Sequence, residues 1–196
     1  MSRRWRKRSV GIVILSALLF SGYWWGEELL VQLFWPKRDR DVIFAPTPPE
    51  AIDKMIELAA ITKDDVVYDL GCGDGRILIQ IAKKCGCKAV GWEIDPKLVA
   101  DTKRNAEAAG VAHLVEVHQG DLFEVDLSGC SVLAIYLLPE LNARLIPQLK
   151  KMKAGSRIVS YSFNMPGVKP KQAVTFRNDK GMDRTVYFWT TPLEME

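Results

Sequence analysis

The chain has 196 residues, with 27 Lys or Arg against 24 Asp or Glu, 48% hydrophobic and 26% charged. That length suits one domain with an appendage and a core large enough to need no staples, and the composition excludes wholesale disorder, a collagen-like chain and a disulfide scaffold. Residues 1–40 carry eight basic against three acidic residues, while residues 41–196 carry 19 against 21, so the main domain lacks the overall positive field of a nucleic-acid binder.

The N-terminus holds the basic excess. Arg3, Arg4, Arg6, Lys7 and Arg8 precede an uncharged run from Val10 to Gly26 that closes on Trp24 and Trp25. Seventeen helical residues span roughly 25 Å, against about 30 Å for a bilayer core, so the run is a short spanning helix. Indole rings suit a headgroup boundary, and the mostly apolar stretch from Leu29 to Trp35 can continue along the interface. An uncleaved anchor is preferred to a signal peptide because Phe20, Tyr23 and the two Trp stand where small residues would be cleaved. An Arg-rich presequence is the third reading. Basic residues flank the run five before and three after, which weakly favours the N-terminus inside and would leave the domain outside.

Residues 36–49 contain Pro36, Pro46, Pro48 and Pro49, and proline keeps such a stretch extended, as a linker or lid. The expected organisation is therefore 1–35 as basic N-terminus and membrane anchor, 36–49 as linker or lid, and 50–196 as the domain. Apolar spacing predicts a helix over 50–60, then strands and helices in alternation: strand 66–70, helix 76–84, strand 89–94, helix 96–109, strand 115–119, strand 132–138, helix 140–152 and strand 157–163. A terminal pair at 174–176 and 185–189 adds an antiparallel edge. The fold class is α/β: a Rossmann-like, doubly wound seven-stranded sheet, mostly parallel, preceded by the N-terminal hydrophobic helix.

The strongest motif is Asp69-Leu70-Gly71-Cys72-Gly73-Asp74-Gly75-Arg76, which follows a strand and opens a helix. Glycines there let the backbone approach a ligand. Glu93 ends the second strand, where a carboxylate can accept from two ribose hydroxyls, and Asp121 follows the third, within reach of an adenine amino group. A nicotinamide dinucleotide fits less well, because Asp69 and Asp74 would repel its pyrophosphate, whereas a cationic sulfonium favours acids. Four Cys (72, 85, 87, 130) and two His (113, 118) form no metal-ligand pattern and point to a reducing compartment; Cys85-Gly86-Cys87 is a minor redox candidate.

This loop, with Glu93 and Asp121, resembles the class I S-adenosylmethionine-dependent methyltransferases over residues 64–163. The resemblance implies cofactor contacts from Asp69, Gly71, Cys72, Gly73, Asp74, Gly75, Arg76, Glu93, Ile94, Asp121 and Leu122, with Pro46 and Thr47 as a lid. It places the glycines and Asp69 at the amino-acid end, Glu93 at the ribose and Asp121-Leu122 at the adenine.

After the fourth strand comes Tyr136-Leu137-Leu138-Pro139-Glu140-Leu141-Asn142, not the Asn/Asp-Pro-Pro-Tyr of base and glutamine methyltransferases. Together with Phe44-Ala45-Pro46-Thr47-Pro48 and the hydrophobic N-terminus, it resembles a family of membrane-anchored protein-lysine methyltransferases. Animal members are mitochondrial and act on the adenine nucleotide carrier or the ATP synthase c subunit. The resemblance implies transfer to a lysine of a protein, embedded in a membrane, with Tyr136 and Glu140 as candidate catalytic residues and no metal. Phe163 to Val168 fits the family's next segment, except that Val168 stands where an aromatic is expected.

The alternatives are a lipid or small-molecule N-methyltransferase, a non-catalytic cofactor-binding module, and an aminopropyl transferase, which would need another acid after the fourth strand. Because the cofactor outweighs a five-to-three charge bias, the domain is expected on the cytoplasmic or cofactor-rich side.

Overall fold

The computed structural model describes residues 46–196, so the expected anchor and the first part of the linker, Phe44 and Ala45 included, lie outside the described residues. Among the described residues no helix is long and apolar enough to cross a membrane.

The first helix, α1 (Pro49–Ala59), begins with proline, whose missing amide costs nothing in a first turn, and buries Ala51, Ile52, Met55 and Ala59 along one face. Then follow β1 (Val66–Leu70), α2 (Arg76–Cys85), β2 (Lys88–Glu93), α3 (Pro96–Ala108), β3 (Val115–Gln119), a 3-10 turn (Leu122–Glu124), β4 (Val132–Ile135), α4 (Pro139–Leu149), β5 (Arg157–Tyr161), β6 (Gln172–Arg177) and β7 (Asp183–Thr190). Asp95 caps α3, its carboxylate accepting from the Lys97 amide at 2.9 Å. Gly86, at φ 70°, ends α2 in the left-handed conformation that a side chain would resist.

The seven strands form one sheet in the order β3-β2-β1-β4-β5-β7-β6. The first five run parallel, and β7 enters antiparallel between β5 and β6. Strand order reverses at β1, which pairs with β2 on one side and β4 on the other, and Asp69 lies in that seam opposite Gly91 and Ala134. Open α/β sheets bind ligands at the carboxyl end of such a switch point.

Alternation along the strands sorts the core into two faces. Val67, Ala134 and Val159 pack with Ile52 and Met55 of α1 and Ile81 of α2. Leu70, Leu133, Ile135 and Ile158 pack with Leu145 and Leu149 of α4 and with Trp189. A smaller cluster, with Leu78, Ala89 and Val111, lies beside them.

Two expected strands are shorter than the sequence suggested. Strand 132–138 ends at Ile135, and Tyr136, Leu137 and Leu138 leave the sheet, because Pro139 holds Leu138 extended as the cap of α4. Strand 157–163 ends at Tyr161, because Ser162 turns into the left-handed region at φ 63° and the Phe163 amide donates back to the Tyr161 carbonyl at 2.8 Å. Both chains therefore leave the sheet at the same level, next to each other. The terminal pair is longer than expected, since its half-exposed residues carry no strict alternation.

Candidate active site

The glycine-rich loop is clamped onto the end of β2. Gly71 and Cys72 amides both donate to the Trp92 carbonyl, at 2.8 and 3.0 Å. Gly71, Gly73 and Gly75 have φ of 75°, 58° and 79°, a run that side chains adopt at a cost. At Gly75 space also matters: an added Cβ would lie 2.5 Å from Thr102 of α3. Thr102 in turn donates to the Gly73 carbonyl at 2.9 Å, and Asn105 donates to that of Asp74 at 2.9 Å. Neither residue was anticipated from the sequence, because each lies mid-helix with no motif of its own.

Glu93 is buried, and its two oxygens accept from the amides of Gly73 (2.9 Å) and Asp95 (3.0 Å). One carboxylate thus joins the loop to the start of α3, and each oxygen keeps a further lone pair for a ligand hydroxyl. Asp74 turns to the helix instead: Arg76 Nε and Nη2 bind its two oxygens at 2.9 and 2.6 Å. Although burial opposes it, the Arg76 hydrogen bonds and charge hold the Asp74 carboxyl below its usual range. Arg76 Nη1 also reaches the carbonyl of Thr47, at 3.5 Å, so Thr47 is buried over the loop while Pro46 beside it is exposed.

Asp69 has no such partner. It is 1% exposed, and among the described residues Oδ2 finds no hydrogen-bond partner. Burial, then the charges of Glu93 and Asp74, push its carboxyl well above the usual carboxylate value. A cationic group at this point would relieve both the missing bond and the repulsion. The surroundings suit the rest of S-adenosylmethionine too. A methyl built on Gly71 would lie 3.4 Å from Leu137 and 3.8 Å from Leu122, so the space over the loop is narrow and apolar-walled. Ile94 is 46% exposed at the mouth of β2. Asp121 caps the 3-10 turn, accepting from the Phe123 amide at 2.9 Å. Cys72 is buried and its thiol pushed up by burial, which makes it a wall and not a nucleophile. Burial likewise raises Cys85, and Cys87 to about 11, so the redox reading of that pair finds no activated thiol. Among the described residues no cluster of His, Cys, Asp and Glu is placed to hold a metal ion.

Beyond Leu137 the two shortened strands present an aromatic group. Tyr136 lies 4.8 Å from Tyr161, centroid to centroid, with planes tilted by 55°, and 5.8 Å from Phe163, with planes only 14° apart. Burial, then Tyr161, raises the Tyr136 hydroxyl above its ordinary value, so at neutral pH it is a donor and not a base. Tyr161 and Phe163 were not singled out from the sequence as a partner set for Tyr136. Val168, where an aromatic was expected, is fully buried in the core, its carbonyl accepting from Trp189 Nε1 at 3.4 Å. Glu140 is exposed in the first turn of α4, where the helix dipole favours an acid.

Residues 69–172 match the family model described as the ANTKMT methyltransferase domain. A protein-lysine N-methyltransferase of Saccharolobus islandicus is 41% identical over 150 residues, which is 76% of this chain and 92% of that protein. The mouse adenine nucleotide translocase lysine N-methyltransferase is 36% identical over 120 residues, 60% of this chain; the chain spans only half the length of that relative. A crystal structure described as an RNA methyltransferase from Salinibacter ruber in complex with S-adenosyl-L-homocysteine is 46% identical, with a TM-score of 0.71, and the match covers 78% of this chain and 97% of that one.

Proposed function

The chain belongs to the family of the ANTKMT methyltransferase domain and is an S-adenosylmethionine-dependent methyltransferase, and we propose that its acceptor is the amine of a protein lysine. The observation that carries this reading is the 41% identity to a protein-lysine N-methyltransferase along 92% of that relative's length.

The site supports it. On this reading Asp69 faces the ammonium end of the cofactor, Glu93 accepts from the ribose hydroxyls, and Asp121, Leu122 and Ile94 border the adenine, with Thr47 over the loop. When bound, the cofactor supplies an electrophilic methyl on a sulfonium. Transfer is an in-line displacement, so the protein's task is to bring the acceptor nitrogen to about 3 Å on the side opposite the sulfur. Tyr136 and Phe163 offer ring faces to a lysine side chain, which attract its cationic form at the entrance. Deeper burial among Tyr136, Tyr161 and Leu137 disfavours charge, so a lysine with an ordinary pKa of about 10.4 gives up its proton to water as it enters. Tyr136 then orients the neutral amine chiefly through its ring face, which leaves the nitrogen lone pair free to attack.

The reading extends to the membrane. The uncharged run Val10 to Gly26 and the indoles at its end support an anchor through residues 10–35, with the domain on the cytoplasmic or cofactor-rich side and a membrane protein as substrate. A C-terminal reporter that reads as external would overturn that placement.

The likeness to the Salinibacter structure favours a second acceptor, RNA. The slight acidic excess of residues 41–196 weighs against it. One experiment separates the readings: radiolabelled S-adenosylmethionine with the purified protein and source-cell extract, fractionated into protein, RNA and lipid, with Glu93→Ala as control. Methyl-lysine in the protein hydrolysate, absent with the control, is the expected result. Label confined to RNA or to lipid would overturn the lysine assignment.

A further inference from the structure

The aromatic wall is made by two segments that leave neighbouring strands, Tyr136 after β4 and Phe163 after β5, and one side chain joins them. Asn142, in α4, is fully buried. Its Nδ2 donates to the Asn164 carbonyl at 3.1 Å and reaches the Phe163 carbonyl at 3.5 Å. Ser160 Oγ donates to that same Phe163 carbonyl at 2.8 Å. The backbone under the Phe163 ring is therefore gripped from the strand behind it and from the helix that continues the Tyr136 segment.

An amide is a costly choice at this position. Leu145 and Leu149, one and two turns further on, are fully buried on the same helix face, and a leucine at 142 would extend that stripe. Asn142 instead leaves Oδ1 buried with no hydrogen-bond partner among the described residues, which lowers stability. What the amide supplies in return is its donor end, and the carbonyls it meets belong to the turn that carries Phe163.

We propose that Asn142 is a positioning residue, which holds the Phe163–Asn164 turn so that the Phe163 ring stays parallel to Tyr136 and closes the acceptor channel. What the channel takes rests on the protein-lysine reading; the placement of the turn does not.

Two variants test it. Asn142→Leu removes the donor and the unmatched acceptor together, and Asn142→Ala removes the amide with no group to replace it. Both are expected to bind S-adenosylhomocysteine as the wild type does. At limiting source-cell protein extract, their rate of radiolabel transfer into protein lysine is expected to fall about tenfold or more, since small misplacements at a reacting centre are expensive. Amide hydrogen exchange at residues 162–165 is expected to rise about tenfold. Phe163→Leu should lose rate comparably, and the Asn142→Leu/Phe163→Leu double variant should be no slower than the slower single one, because both act through one ring. Rates within about twofold of wild type, or multiplicative losses in the double variant, would overturn the proposal. If the wild type labels no protein lysine, the lysine reading falls, and exchange at 162–165 alone decides: unchanged exchange in both variants removes the positioning role.

Discussion

Asp65 stands just before β1 and Asp69 near its far end, and the two carboxylates live in opposite surroundings. At the amino end of the sheet, Asp65 Oδ2 accepts from the amide and hydroxyl of Thr62 (2.8 and 3.2 Å), and Oδ1 accepts from Ser131 (2.8 Å) and from Arg157 at the start of β5. Burial opposes its ionisation, but these bonds and the Arg157 charge prevail and hold its carboxyl below the usual range. Arg157 further binds the carbonyls of Ala59 and Ala60 at 2.7 and 3.1 Å, closing α1 onto the sheet. At the carboxyl end, Asp69 is more deeply buried and faces two other acids, with one oxygen unmatched among the described residues. One end of the sheet uses its carboxylate to hold the fold; the other leaves its carboxylate without a counter-charge, which on the proposed reading the cofactor supplies.

The sharpest way to probe this contrast is Glu93→Ala. It removes both the loop clamp and the proposed ribose acceptor, two charge-assisted contacts of about 1.5–3 kcal/mol each, so affinity for S-adenosylmethionine should fall about a thousandfold by calorimetry. Asp65→Ala should do the reverse: about 2–3 kcal/mol of stability lost, a melting point lower by about 5–10 °C, and cofactor affinity unchanged. An affinity loss there would break the division between the two ends.

Asp69→Asn should weaken cofactor binding about tenfold to a hundredfold and yet raise the melting point of the empty protein at neutral pH. The unfolded chain ionises this carboxyl freely above about pH 3.9, whereas the native site resists until its raised value, so the wild-type residue withdraws stability as pH climbs through that interval. Cofactor affinity of the wild type should accordingly increase as pH rises through the raised native value of Asp69, with a flatter profile in Asp69→Asn. Asp65 behaves in the opposite sense: its contribution is present above the unfolded carboxylate value and disappears as pH falls through the lowered native one. Calorimetric melts across acid pH in wild type and Asp65→Ala would show it. The smallest effect is expected from Tyr136→Phe, about threefold or less in transfer rate, because the raised hydroxyl is no base and the ring is retained; Tyr136→Ala should cost about tenfold or more in the same assay.

Much of this was legible from residue order. Strand and helix periodicity located the α/β core, and the loop from Asp69 to Arg76 announced a ligand site, because glycine spacing and acid placement are local properties of one strand-turn-helix. Arg76 was less transparent: grouped with the cofactor contacts, it is found binding Asp74 and the Thr47 carbonyl. The choice between those partners depends on where Thr47 lies, a separation of 29 residues. Tyr136 stood out from its motif, but its companions did not. Tyr161 and Phe163 read as the end of a strand, and only the left-handed turn at Ser162 brings the Phe163 ring beside Tyr136.

What the sequence alone determined was the class of fold, the loop and the acids at the ends of β1 and β2, since each follows from period, glycine and charge within a few residues. What only tertiary structure decided was which carboxylates are neutralised. Asp65 and Asp69 are alike as letters, and both are buried. Their difference arises from depth of burial and from whether a donor from a distant element arrives: Arg157 of β5 reaches Asp65, whereas Asp69 Oδ2 meets no donor among the described residues, and in a medium that screens poorly this sets the charge state.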